Sequence, residues 1–324
     1  MNAKQIPINT LVFHMDAQKH IDDAACLWLA YNRPEAETRF PGISQAQIIF
    51  DGHGGEKYQG MSAEELEEKG VLMFGVGASR FDEHSGPDNA GKNHCSFALF
   101  CKEIGVYEDP ALSMILSYVA EADLGNAGHH WAVASVAKIM NSMWPDDPLK
   151  IFNWQIEAIA AIYAEQVKFQ KAIIEYREKA VEKEITGPWG RRITIAIIES
   201  DTEIMNNVAR SQGANVVIQR RPTTCELLPG NVTISIDRKA KLGLQEVVAV
   251  IRQEEQRIRG SVVTTGISRL RAPGKIEGVL EWYYLTGKSE MLLNGSYSAP
   301  DVPATMIPLE TITNIVIENI DRVQ

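Results

Sequence analysis

The sequence predicts an α/β protein of two domains, and three observations carry that expectation. Strand-like and helix-like segments alternate from the N-terminus, as in a parallel sheet with crossover helices. A long helical pattern then runs from Pro148 to about Glu184. After it the alternation resumes. The length of 324 residues suits about two domains at ~100–200 residues each.

The elements justify themselves in order. Thr10–Phe13 is a β-branched and aromatic run that reads as a buried strand. Asp22 or Asp23 opens a helix in which Ala25, Leu27, Trp28 and Leu29 are apolar. Gln47–Phe50 is a second strand ending on Asp51, and Ser62-Ala-Glu-Glu65 has the form of a helix-start box. Val71–Val76 is a third strand closing toward Asp82, and Asn93 to Asn141 reads mostly as helix. From Pro148 a long helix continues to about Glu184, its apolar residues Ile151, Trp154, Ala158 and Ile162 recurring every three or four positions. Gly187-Pro188 ends it. Strands follow at Ile193–Ile198, Val216–Gln219, Val232–Ile236 and Val279–Leu285, with helices at Asp201–Ser211, Leu244–Arg259 and Leu309–Ile320. The expected division is a parallel-sheet domain over 1–147, a helical linker over 148–187 and a smaller α/β domain over 188–324.

Composition narrows the function. With 45% hydrophobic and 23% charged residues the chain is ordinary globular material. No apolar stretch approaches the ~20 residues of a membrane span. Cys26, Cys95, Cys101 and Cys225 form no C-x-x-C pair, which points to reduced thiols in a cytoplasmic protein. The first three fall on apolar helical faces and read as core, as do Met114, Met140 and Met143. The net charge of -10 argues against a sequence-blind binder of long nucleic acids. That charge is uneven. Between Arg191 and Lys275, 14 Lys and Arg stand against 8 Asp and Glu, a balance of +6 that leaves -16 for the rest. All seven histidines lie between His14 and His130.

The first half therefore holds the candidate chemistry. His14-Met-Asp16, His20-Ile-Asp22-Asp23, Asp51-Gly-His53, Asp82-Glu83-His84 and Asp123 sit at strand ends or helix starts. Side chains at the carboxyl ends of parallel strands converge on one crevice. A single Asp after a strand is usually a cap or turn residue, so it is the recurrence that points to a cluster. Carboxylates and imidazoles without thiolates suit Mn²⁺ or Mg²⁺, with Zn²⁺ also compatible. Crowded carboxylates need cations to balance them, and two divalent ions would also bind phosphate oxygens and activate a water. Gly91-Lys92-Asn93-His94 precedes an apolar helix, where Lys92 or His94 could neutralise a phosphate and Asn93 could equally be a plain cap. In the basic half, Arg220 and Arg221 follow a strand, and Lys288, Asn294 and Ser296 lie in a glycine-bearing segment. Arginine forks suit phosphate oxygens, whereas Arg252 to Arg259 read as a solvated helix face. Trp282, Tyr283 and Tyr284 could stack a base, with at least one of them in the core.

The ordered set His14, His20-x-Asp22, Asp51, Asp82-Glu83-His84 and Asp123 resembles the DHH phosphoesterase superfamily. It is most similar to the melanocyte-proliferating-gene family of metal-dependent exonucleases, on Asp51-Gly-His-Gly-Gly-Glu-Lys-Tyr58 and on Arg80-Phe-Asp-Glu-His84. The likeness covers residues 10 to 125. It implies a DHH-like catalytic domain joined to a DHH-associated-type domain that closes on substrate phosphates. It further implies two Mn²⁺ ions held by His14, Asp16 or Asp22, His20, Asp51, Glu83 and Asp123, with Asp51 bridging. The eponymous Asp-His-His stands here as Asp82-Glu83-His84, which puts Glu83 in a metal slot and His84 in the phosphate-facing one. The implied function is hydrolysis of short single-stranded oligonucleotides or small phosphorylated molecules, with Asp51 and His84 as catalytic residues. Two other classes stay open: a non-catalytic nucleotide- or partner-binding protein with a degenerate site, and a metal-dependent C–N hydrolase. The long helix is free to pack on its own domain or against a second copy in a homodimer.

Overall fold

The computed structural model describes residues 6–51, 56–58, 60–77, 79–82, 95–123, 132–187, 190–260, 266–287 and 289–322. It divides into two compact units, 1–168 and 169–324.

The first unit is built on a parallel sheet of β1 (Thr10–His14), β2 (Gln47–Asp51) and β3 (Val71–Met73), in the order β2-β1-β3. Register places Leu11 beside Ile48 and Leu72, and His14 beside Asp51. The central strand is apolar on both faces because both are covered. Leu11 and Phe13 join one core with α1 (Ile21–Asn32), while Val12 joins a smaller one with Leu66 of α3 (Ala63–Glu67). Helix α2 (Pro34–Arg39) follows α1 directly. The capping box at Ser62 is present: the Glu65 N–H donates to Ser62 Oγ at 3.2 Å and the Ser62 N–H to Glu65 Oε2 at 2.7 Å. Strand β3 is shorter than the sequence suggests. The Phe74 N–H still donates to the Val12 carbonyl at 3.0 Å, but Phe74 is bridged on its other side to Phe81, and the strand ends there.

Aromatic rings fill the larger core. Phe13 stacks on Phe74 at 5.2 Å and Phe74 on Phe81 at 5.1 Å, with Phe100 edge-on to both Phe74 and Phe81. Helices α4 (Ser96–Glu103) and α5 (Ser113–Asp123) pack on α1. Cys26, Cys95 and Cys101 are buried, in line with a packing role. The methionines divide differently: Met114 and Met143 are exposed, the latter at 65%. Helix α6 (Val133–Met143) buries only Ala134 and Ala137, too narrow a stripe to carry its methionines inward.

Helix α7 (Pro148–Lys179) spans the division between the units. Phe152 and Ile159 belong to the core of the first and Ala172 and Tyr176 to a core of the second. The expected helical linker over 148–187 is corrected at its end. Val181–Thr186 is β4, an edge strand paired antiparallel with β5 (Arg192–Glu199). Its Val-Glu-Lys-Glu run has good helical propensity, which pairing with β5 overrides.

The second unit's sheet runs β4-β5-β6-β7-β11-β10-β9, with β6 (Val216–Arg220), β7 (Val232–Ile236), β9 (Gly274–Ile276), β10 (Val279–Leu285) and β11 (Met291–Asn294). Within it β5 and β6 are parallel, joined through α8 (Met205–Ser211), and the other neighbours are antiparallel. Alternation along β5 separates two faces. Ile193, Ile195 and Ile197 pack toward α9 (Gln245–Arg259) and α11 (Leu309–Asn319); Ala196 and Ile198 pack toward α8 and the end of α7. A short turn of helix, α10 (Ile267–Leu270), precedes β9, and β8 (Leu242–Gly243) pairs with β12 (Asp321–Arg322). Among the described residues, no helix is long and apolar enough to cross a membrane.

Candidate metal centre

The carboxyl ends of β1, β2 and β3 share one edge of the first sheet. Beyond β1 the chain makes a tight turn over Ala17–Lys19 and enters α1 through His20 as its N-cap. The His20 side chain makes no capping hydrogen bond. Asp22 and Asp23 lie in the first turn, where the helix dipole favours carboxylates. Both are 4% exposed. Packing of α5 on α1 brings up Asp123, the last residue of α5.

Around these groups lies a cavity of about 550 Å³. Its walls come from the β1 end and following turn (His14, Asp16, Lys19), from the start of α1 (His20 to Asp23), from Gly75, from Ala122 and Asp123, and from Ala134 and Lys138 of α6. Gly75 adopts φ of +61°, and a Cβ there would meet Asp23 Oδ1 at 3.2 Å and Ser96 Oγ at 3.4 Å. A side chain at that point would thus press on Asp23, and glycine allows the approach.

His20, Asp22 and Asp123 form the tightest donor group among the described residues, each with a ligand atom within 4.8 Å of the others'. Donors sharing one cation with bonds of ~2.2 Å lie roughly 3–4.4 Å apart, so small side-chain rotations would close the set. One imidazole nitrogen and two carboxylates fit Mn²⁺, Mg²⁺ or Zn²⁺.

The electrostatics suit such a set. His20 keeps solvent on one side, yet burial of its ring lowers its pKa below the ordinary 6.5. Asp16 and Asp123 oppose that shift, while Lys138 and His14 add to it. The imidazole is therefore neutral at pH 7, with a lone pair available. For Asp16, burial disfavours the carboxylate, but hydrogen bonds with His14 and Lys19 outweigh it and hold the pKa below 3.8. The Lys19 ammonium lies 3.2 Å from Asp16 Oδ2, and His14 Nδ1 bonds to Asp16 Oδ1. Burial first, then Asp22 and Asp23, push the Cys26 thiol well above its ordinary value, and burial raises Cys101 too. These sulfurs stay protonated and do not compete for a metal.

The sequence candidates separate accordingly. His14, Asp16, His20, Asp22 and Asp123 line one cavity. Asp51 stands beside His14 in strand register and Asp82 is buried after Phe81, but neither lines the cavity. Glu83, His84, Lys92 and His94, together with Lys288 of the second unit, lie outside the described residues. Sequence reading named Asp23 only within the His20-Ile-Asp22-Asp23 cluster and passed over Lys19 and Lys138. Asp23 was visible beside Asp22, whereas Lys138 becomes part of the site only through the packing of α6 against the Ala17–Lys19 turn.

In the second unit several expectations are corrected. Asn294 is buried, with Nδ2 donating to the carbonyls of Glu281 at 3.1 Å and Pro303 at 3.0 Å and Oδ1 accepting from the Thr305 N–H at 2.8 Å. These bonds tie the buried Asn294 side chain to β10 and to the 303–305 segment, a packing role rather than a surface one. Arg252 is not on a solvated face but fully buried, donating to the carbonyls of Leu270, Ala272, Gly274 and Trp282. Burial lowers its pKa to about 10, so it remains charged at neutral pH. Trp282 is buried as well, its Nε1–H donating to Glu255 Oε2 at 3.0 Å, and Tyr284 is buried beside it; Tyr283 alone of the three is exposed for stacking. Arg220 is half-buried at the end of β6. Arg221 donates to the Asp201 carbonyl and sits 5.5 Å from the Tyr297 ring centre. Ser296 Oγ lies 2.9 Å from Ser298 Oγ.

No protein-family model matches the chain, and no curated protein matches it.

Proposed function

We propose that this protein is a divalent-metal-dependent phosphoesterase of the DHH type, acting on short single-stranded oligonucleotides or small phosphorylated molecules. The observation that carries this reading is the meeting of His20, Asp22 and Asp123 in a cavity at the carboxyl edge of a parallel sheet. These three residues would hold a divalent ion, and His14, which lines the same cavity, would offer a further donor, with Asp51 beside it in strand register. Such an ion supplies Lewis acidity toward a phosphoryl oxygen and lowers the pKa of water toward neutrality. The chain's own part is positioning. His20 presents a neutral imidazole, Asp22 is fixed by the first turn of α1, and Asp123 by the end of α5. Asp16, kept ionised by His14 and Lys19, orients His14 at the mouth of the cavity. Partial closure of the cavity reduces competing hydration of the reacting group.

The test is calorimetric titration with Mn²⁺, joined to turnover of bis-nitrophenyl phosphate and a short oligonucleotide. Wild type binds Mn²⁺ and hydrolyses at least one substrate, while Asp22→Asn and Asp123→Asn lose both properties by about a hundredfold or more. A wild type that binds no Mn²⁺, or variants that hydrolyse as wild type does, would overturn the reading.

A further inference from the structure

The cavity of the first unit is acidic on one side and cationic on another, and its two lysines are not equivalent. Lys19 is engaged: its ammonium meets Asp16, which also bonds to His14. Lys138 has no ion-pair partner among the described residues, although it lines a cavity shared with Asp16, Asp22, Asp23 and Asp123. Its place in the wall follows from helix geometry. Ala134 and Lys138 are four residues apart on α6 and so share a face, and both border the cavity. The small Ala134 is buried at the inner end, and the lysine stands one turn further along. Helix α6 is tied to α5 at this point, since the Ala134 N–H donates to Tyr118 Oη at 3.0 Å. The helix that supplies Asp123 is thereby pinned to the helix that supplies Lys138.

Such an ammonium is matched to an anion that enters the cavity, because the neighbouring carboxylates would be engaged by a divalent ion. From this geometry we infer that Lys138 is the anion-binding residue of the cavity, donating to a non-bridging phosphoryl oxygen of a small phosphate ester. The inference rests on the metal-dependent reading above. It adds to the phosphate grip a first-unit residue that the sequence reading, which named His84, Lys92 and His94 there and Arg220, Arg221 and Lys288 in the second half, did not single out. A volume of about 550 Å³ is in the range of small-ligand pockets.

The experiment is calorimetry on the full chain with Mn²⁺ and then with inorganic phosphate, for wild type, Lys138→Met and Lys138→Arg. Wild type takes up Mn²⁺ and then phosphate. In Lys138→Met the Mn²⁺ affinity does not fall, since a cation beside the metal ligands has been removed, and phosphate binding weakens by about tenfold or more, the loss of one charge-assisted hydrogen bond. Lys138→Arg restores most of the phosphate affinity. If Lys138→Met binds Mn²⁺ and phosphate as wild type does, this inference falls and the metal reading stands. If Lys138→Met loses Mn²⁺ and phosphate together, Lys138 supports the site rather than the anion, and the inference falls on that result too. Failure of wild type to bind Mn²⁺ overturns the metal reading and carries the inference with it.

Discussion

In the second unit Arg252 and Glu255, one turn apart on α9, are fully buried charges surrounded by partners. Arg252 is met by four backbone carbonyls, and Glu255 by Arg259, the Trp282 indole, the Thr305 hydroxyl and the Met306 N–H. In the first unit Asp22 and Asp23 are nearly as buried, yet they border an open cavity where Asp16 and Asp123 add further negative charge. A buried charge needs compensation, and like charges that gather raise the cost. On α9 the fold itself compensates, so those residues are architecture. At the β1 edge folding gathers Asp16, Asp22, Asp23 and Asp123 around one cavity that Lys19 and Lys138 also line, and on the reading proposed above a divalent cation completes the balance. Burial of a charged side chain therefore says little about its role until the sign of the charges around it is known.

That contrast can be broken by experiment, most severely at Glu255. Glu255→Gln removes the carboxylate that receives Arg259 and Trp282, and should cost roughly 3–5 kcal/mol of unfolding free energy in urea. Its Mn²⁺ affinity should stay that of wild type; a parallel loss of metal binding would erase the distinction between the regions. Next in size is the response to metal. Mn²⁺ at about a hundred times its Kd should stabilise the first unit by about 2.7 kcal/mol, reversed by chelator and absent in Asp123→Asn.

Smaller again is the pH dependence contributed by His20. Its folded pKa lies below 6.5, so between those two values the unfolded chain binds more protons and stability falls as pH is lowered. Mn²⁺ affinity should fall in the same direction, since a protonated imidazole cannot ligate. Chemical denaturation and Mn²⁺ titration from about pH 7.5 to about pH 5.5 would check both, with His20→Gln losing the metal-affinity slope attributable to this group. The smallest effect belongs to the capping box. Ser62→Ala should cost about 1 kcal/mol and leave metal binding untouched, as measured by thermal melts with and without Mn²⁺.

What could be read from the chain alone follows from how local each signal is. β7 and β10 were readable residue for residue because each is a compact run of β-branched or aromatic side chains, and the Ser62 box because its reciprocal bonds span three positions. β4 was not, because charged residues on an edge strand look like a helix until β5 is beside them. Arg252 was misread for a similar reason: its acceptors lie 18 to 30 residues away in sequence. Of the cavity, the acids and imidazoles were legible from their repeated position at strand ends and helix starts. The floor and far wall depend on how Gly75 turns and where α6 packs, which no local pattern encodes.

Gly75 shows how far that dependence reaches. The hollow is shaped as much by a missing methyl group as by any carboxylate, and Gly75→Ala would press on Asp23 without altering one ionisable residue. A lineage that kept every acid and imidazole but acquired a side chain there would reshape the hollow around Asp23, and a search for vanished side chains would overlook why.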